Sequence, residues 1–258
     1  MVGLTEDAGQ YAARGYTPTR SAIGYERFRR FGMPFQITPK ARLSATSPAC
    51  RAIVATRLTA PALEETALRV LQFAQFTTTG TLDDPGTLRS ALAGVERLDA
   101  DAVVGRIDDS EVVAAYESDR ARARAAAGSP TEFQGRAANT DGAVRYTAPS
   151  LVFDGPDGQR LEAGGFQPIE AYDVVIANLD PTLERRPPAG DPVEVLSAFP
   201  YALTTAEVAA VMTEHLGVPD VPAVEAALIS ATGEGHVGRR PAGDGSLWSL
   251  ARDPQHLA

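Results

Sequence analysis

The only thiol in this 258-residue chain is Cys50. It follows Pro48 near the start of a helical pattern and sits beside Arg51, surroundings that lower a thiol pKa and favour the nucleophilic thiolate. The same position also suits a core. Ile53 and Val54 follow at three and four residues, the spacing of a buried helix face, and free Cys is among the most buried residue types. One cysteine excludes an internal disulfide, a Cys-rich zinc site and a CxxC dithiol within the chain. His215, His236 and His256 have no carboxylate or second His at metal-site spacing and read as surface residues, so no metal is expected. Asp83-Asp84 and Asp108-Asp109 each precede a helical pattern, and capping accounts for both pairs. The chain has no GxGxxG, GxxxxGK[ST] or GxSxG, which removes the usual nucleotide and serine-hydrolase fingerprints.

Charge is unevenly distributed. The net charge is −9, yet residues 14–57 hold nine basic side chains against Glu26 alone, and Lys40 is the only lysine in the chain. Such a block either docks on the protein's own acidic surface or binds an anionic small molecule, such as a carboxylate-bearing thiol. The overall sign disfavours general nucleic-acid binding. No stretch approaches the roughly 20 apolar residues of a membrane span. Residues 1–15 lack a basic region followed by an apolar run, so a cytoplasmic location without membrane contact is expected.

Elements that would position chemistry follow from periodicity and punctuation. Residues 1–48 are irregular, with a short Arg-rich helix expected over 21–31. Helical patterns then run from Pro48 through Arg57, from Pro61 to Thr77, from Pro85 through Val95 behind Asp83-Asp84, over 100–107 behind Asp99, and over 111–127. After Asp141 the pattern changes. Residues 150–153 and 159–163 read as two strands across an Asp-Gly-Pro-Asp-Gly turn. Gly164-Gly165 leads out of this hairpin, and Pro168 opens a helix to Leu179. The Pro-rich run 184–192 reads as a linker. Beyond it come two helices, 207–216 behind Thr204 or Thr205 and 223–232, and then strand 235–240, turn 241–245 and strand 246–250. Two helices and a hairpin outline a winged helix; a local charge of −5 over 193–258 argues against phosphate contacts and for protein packing.

The segment Tyr146-Thr-Ala-Pro-Ser-Leu-Val-Phe-Asp-Gly155 resembles the part of the thioredoxin fold in which a cis proline precedes the third strand of the sheet. A helical insertion before this loop, a hairpin after it and a closing helix give the order seen in DsbA-type disulfide oxidoreductases and the related 2-hydroxychromene-2-carboxylate isomerases. Residues 44–52, 128–135 and 163–168 resemble an actinobacterial branch of that family. The resemblance covers roughly residues 1–190. It implies an α/β thioredoxin-like domain over 1–183 with a helical insertion at about 49–135, a linker at 184–198, and a small winged-helix-like domain over 199–258. It also implies that Thr147, Ala148 and Pro149 face a bound thiol or disulfide, the backbone of Ala148 being shown to the sulfur.

The chain departs from the family in one respect. Members begin with a strand running into a helix that bears CxxC or Cxx-Ser, and no such motif is present here. Met1-Val-Gly-Leu4 resembles the tail of the family's second strand. The first strand, its helix and most of the second strand are therefore expected to be missing, which makes the domain incomplete at its start, mainly helical with a β-hairpin, and leaves one edge of the third strand open. Either the encoded start is placed late or the chain is a degenerate paralogue. Translating the upstream DNA in frame separates the two. The implied activity is thiol–disulfide exchange with a protein disulfide or small thiol, with the dithiol step absent from this chain and Cys50 the one weak catalytic candidate. One alternative is a glutathione- or mycothiol-dependent isomerase or transferase, with Arg42 and Arg51 of the basic block gripping the thiol as co-substrate. The other is a non-catalytic interaction module, assembled as a homodimer through its C-terminal part.

Overall fold

The computed structural model describes residues 5–139 and 142–251. It is a mixed α/β structure, about half helical, with small antiparallel sheets. In chain order the helices before the first strand are α1 (Gly9–Ala13), α2 (Pro18–Phe28), α3 (Ser47–Thr59), α4 (Glu64–Thr77), α5 (Pro85–Leu92), α6 (Ala100–Gly105), α7 (Ser110–Ala123) and α8 (Pro130–Phe133). Strands β1 (Ala137–Ala138), β2 (Arg145–Tyr146), β3 (Ser150–Asp154) and β4 (Arg160–Gly164) follow, then α9 (Ile169–Leu179) and α10 (Pro192–Ser197). The chain continues with β5 (Leu203–Thr204), α11 (Thr205–Met212), α12 (Val221–Gly233), β6 (Val237–Ala242) and β7 (Gly245–Leu250). The Met1–Leu4 reading and His256 lie outside the described residues.

Two compact units form. One is continuous, Asp109–Arg186; the other is split, joining Thr5–Asp108 to the segment that begins at Pro187. The helical block expected at 49–135 is thus divided, with α3 to α6 in the split unit and α7 and α8 in the continuous one. No helix among the described residues is long and apolar enough to cross a membrane.

Several helix starts follow the sequence, but the expected capping by both acidic pairs is corrected: Asp109 makes no side-chain cap bond to α7, Asp108 meets Arg51, and Asp83 accepts from Arg42 and Ala45 N. Asp84 accepts a hydrogen bond from Thr87 N and is followed by Pro85 at the first helical position; Asp99 accepts from Ala102 N and Asp220 from Ala223 N. The helix expected over 21–31 starts earlier, at Pro18, because Thr17 caps Arg20 N and a proline at the first position loses no helical hydrogen bond. The expected linker over 184–198 is corrected at its C-terminal end. Asp191 accepts from Val193 N, Pro192 starts α10, and Val195 and Leu196 are buried. The expected turn over 241–245 is also shorter: Pro241 pairs with Ser246 and Ala242 with Gly245, so the reversal falls on Gly243 and Asp244, where Gly243 has φ +55°.

The C-terminal part of the split unit has its own apolar cluster. Val195, Leu203, Val208, Leu228 and Val237 surround a fully buried Trp248, whose indole N–H donates to Thr205 Oγ1 at 2.9 Å. Its sheet has the order β5-β7-β6, all antiparallel. This part is joined to the N-terminal helices through Arg69 of α4. The Arg69 guanidinium donates to both Glu207 carboxylate oxygens, at 2.6 Å to Oε1, and to Ala202 O at 3.2 Å, and lies between the rings of Phe73 and Tyr201. Glu207 also receives Thr204 N and Thr204 Oγ1 in a capping box at the start of α11. Burial pushes the Glu207 carboxyl up, but the bonds from Arg69 and Thr204 outweigh it and hold its pKa below the ordinary Glu value.

Removing one member of a mostly buried charge pair strands the other, at a cost of about 3 kcal/mol. Glu207→Gln and Arg69→Ala are therefore expected to lower stability by that order in denaturant melts, with little added by combining them. A depressed folded-state pKa stabilises above the unfolded Glu value of about 4.3 and is lost as pH falls through the folded value. The wild-type midpoint should accordingly drop on acidification below about pH 4, and that drop should shrink in Glu207→Gln.

Candidate functional site

The continuous unit builds the loop Thr147-Ala148-Pro149 between β2 and β3. The Ala148–Pro149 peptide is cis, the form the resemblance implies for this proline. Beyond the loop, β3 and β4 pair from Ser150 with Gly164 to Asp154 with Arg160. Gly155 N donates to Gln159 O at 2.7 Å, and antiparallel alternation then directs the backbone groups of Phe153 and Leu151 toward β4. Those of Ser150, Val152 and Asp154 point to the other edge, where no strand pairs with β3 among the described residues. Apolar side chains of β3 and α9 stay partly in solvent: Leu151 is 45 % exposed and Ile169 is 72 % exposed, and α9 has no fully buried residue.

One carboxylate organises the loop's base. Glu162 on β4 accepts from Tyr146 OH at 2.6 Å through Oε1, and from Thr131 Oγ1 at 2.7 Å and Thr131 N at 3.2 Å through Oε2. It thereby ties β2, α8 and β4 together. Burial raises the Glu162 pKa and these bonds lower it further than burial raises it, so it stays below the ordinary value. Burial and the adjacent carboxylate push the Tyr146 phenol up. Gly164 is required here because a Cβ would sit 2.4 Å from Thr131 Cγ2. Gly165 has φ +70°, and a Cβ there would lie 3.2 Å from Cδ of Arg136. The Gly164-Gly165 pair therefore serves close packing under the loop.

Arg136 completes the surroundings. Its carbonyl accepts from Thr147 Oγ1 at 2.7 Å, and its Nη1 donates to Phe166 O at 2.7 Å. No carboxylate lies within ion-pair distance of it among the described residues. Sequence reasoning missed both Arg136 and Glu162. The legible signal was the pair of glycines at 164 and 165, whose partners lie about thirty residues earlier in the chain.

The remaining candidates lie in the split unit. Cys50 is half-buried in the first turns of α3, and its backbone N–H donates to Thr46 O. Arg51 contacts Glu6 at 3.4 Å and Asp108 at 3.2 Å, while Arg42 donates to Asp83 Oδ2 at 2.7 Å. Both arginines proposed to grip a ligand are therefore held by the protein's own carboxylates. Arg29 is engaged in the same way by Glu26 and Asp244, and Arg57 by Glu64. The structure brings Thr147, Ala148 and Pro149 together and places Cys50, Arg42 and Arg51 in the other unit. Among the described residues no group of His, Cys, Asp and Glu side chains is arranged to hold a metal.

Gly164→Ala is expected to destabilise the continuous unit by about 2 kcal/mol, because overpacking against a threonine forces backbone to shift. Thr131→Ser in the same chain, which removes the nearest methyl, should return part of that loss in thermal melts. Glu162→Gln should cost a similar amount, since hydrogen bonds to a charged acceptor contribute about 1.5–3 kcal/mol.

No family model matches the chain, and the comparison with curated proteins finds no match.

Proposed function

We propose that this chain is a thioredoxin-like protein of the DsbA type that works in thiol–disulfide exchange, presenting the Thr147–Pro149 loop to a sulfur-bearing substrate. In the step it serves, a thiolate attacks one sulfur of a disulfide; a new S–S bond forms, the old one breaks, and the departing sulfur leaves as thiolate. The 258 residues hold one cysteine, and it lies in the unit that does not carry the loop. The chain's own share is thus to bind and orient the substrate, the attacking thiol being that of a small thiol or a protein dithiol. The observation that carries this reading is the run loop, β3, β4, α9 with the outer edge of β3 unpaired. It supplies outward-facing backbone groups at Ser150 and Val152 next to the loop, the kind of surface on which an extended sulfur substrate is held.

For residues 191–250 we infer a winged-helix-like module that packs against protein. The order α10, β5, α11, α12, β6, β7 with sheet order β5-β7-β6 supports the topology. The helix that would enter a DNA groove, α12, carries Glu225 and no lysine or arginine, which supports a partner other than nucleic acid. The module's binding to Arg69 of α4 is itself a protein contact of this kind. We also propose a cytoplasmic location.

A glutathione-dependent isomerase or transferase is the second reading, and Arg136 favours it. An arginine beside the loop without a carboxylate partner suits a thiol that carries carboxylates. Arg42 and Arg51 suit it less, being paired internally.

Two measurements test these readings. Insulin reduction assayed with the chain alone is expected to show no dithiol-type turnover above background, and clear turnover would refute this division of labour between chain and thiol. In calorimetry, S-methylglutathione is expected to bind, with affinity falling about tenfold in Arg136→Gln and largely kept in Arg136→Lys. Binding that ignores the residue at 136 removes the second reading.

A further inference from the structure

Lys40 is the only lysine among 24 basic residues, and neither thiol exchange nor thiol binding at the loop uses it. It lies in the irregular segment between residue 32 and α3, which is strapped onto the end of α4 and the loop that follows. Gln36 N donates to Phe76 O at 2.7 Å, Ala45 N donates to Asp83 Oδ2 at 2.9 Å, and the Lys40 ammonium donates to Gly80 O. The side chain is half-buried, and that carbonyl is its partner. The other charged groups on the two segments that meet here are Arg42, Asp83 and Asp84. Asp83 is taken by Arg42 and Ala45 N, and Asp84 by the backbone and hydroxyl of Thr87. No carboxylate lies within ion-pair distance of Lys40 among the described residues. Its surroundings thus withdraw water from the amine and offer it a neutral carbonyl but no anion; the carbonyl bond favours the ammonium, and the burial, unopposed by any carboxylate, favours the neutral, nucleophilic form.

We propose that Lys40 is an acyl-acceptor site, modified by activated acyl donors of the thioester class. The neutral amine attacks the thioester carbonyl; a C–N bond forms, the C–S bond breaks, and the amine's proton leaves with the thiolate as free thiol. The product amide has one N–H and no charge where the ammonium had three N–H groups and a positive charge. Acylation therefore weakens the tie to Gly80 O and brings added bulk into a half-buried position, loosening the strap from the α4–α5 loop. Burial lowers the Lys40 pKa to about 8, which agrees with this placement.

The test uses the full chain carrying Arg186→Lys, which places a reference amine at an exposed position in the Pro-rich segment before α10. The chain is incubated with S-acetyl-N-acetylcysteamine from pH 6.5 to 10, and acetylation at positions 40 and 186 is followed by peptide mass spectrometry. Lys40 is expected to acetylate at least tenfold faster than the reference at pH 8, and its rate should level off above about pH 8.5 while the reference rate continues to climb. Equal or slower reaction at Lys40, or a rate that climbs in parallel with the reference, overturns the proposal. Lys40→Arg, which keeps a cation and a donor, should remove that acetylation signal while leaving the melting temperature within a few degrees.

Discussion

The loop Thr147-Ala148-Pro149 has its shape because the Glu162 carboxylate is shared by three donors from two other parts of the chain. Tyr146 binds it from β2, immediately before the loop, and Thr131 binds it from α8 with both its hydroxyl and its backbone. A half-buried carboxylate satisfied in this way stays ionised, and each donor it binds is fixed in turn. The missing side chain at Gly164 lets Thr131 approach, and the positive φ of Gly165 lets the stem of Arg136 lie across it. Arg136 then holds Thr147 by its carbonyl and Phe166 by its guanidinium. The loop is positioned by this chain of contacts, and little apolar burial supports it, since β3 and α9 leave their larger side chains partly in solvent.

The split unit is organised by different physics. Its helices bury a conventional apolar core, with Val54, Ala67, Leu71, Leu88 and Leu92 all fully or nearly fully buried. The C-terminal module has a second cluster around Trp248. Between them stands the bidentate Arg69–Glu207 pair, sandwiched by Phe73 and Tyr201, with Tyr201 OH donating to Glu65. Two guanidinium nitrogens meet the two carboxylate oxygens, and together with Arg29–Asp244 and the bonds between Phe35 and Asp244 this pair fastens the two parts. The basic block 14–57 has a related role. Four of its nine basic residues, Arg29, Arg42, Arg51 and Arg57, meet an acidic side chain of the same unit, so part of the block fastens the unit internally.

What could be read from the sequence was local. Asp84, Asp99 and Thr204 were legible as helix starts because a cap acts within three residues, and the β3–β4 hairpin because its alternation and turn are contiguous. The Thr147–Pro149 loop was legible from its neighbours, and its proline has the isomer the resemblance implied. Helix α10 was hidden because Pro187, Pro188 and Pro192 make one composition, although Asp191 followed by proline is also a helix start. The two-residue strands β1 and β2 carry no periodicity, and Arg69 and Glu207 are separated by 138 residues. Such long-range pairs leave no mark on spacing, so the grouping of residues 5–108 with the C-terminal module could not be anticipated. Among the described residues β3 pairs with β4 alone, which leaves one edge open as the resemblance implied.

The central claim is that the Thr147–Pro149 loop and the adjoining edge of β3 receive a sulfur substrate. Its most direct test is a two-dimensional amide NMR titration of the isotopically labelled chain with 2-hydroxyethyl disulfide, a small disulfide without charge. The account predicts saturable shifts centred on the amides of Thr147, Ala148, Ser150, Val152 and Gly165, with the amides of the Trp248 cluster unmoved. No saturable shift at those positions, or shifts confined to the split unit around Cys50, would contradict it.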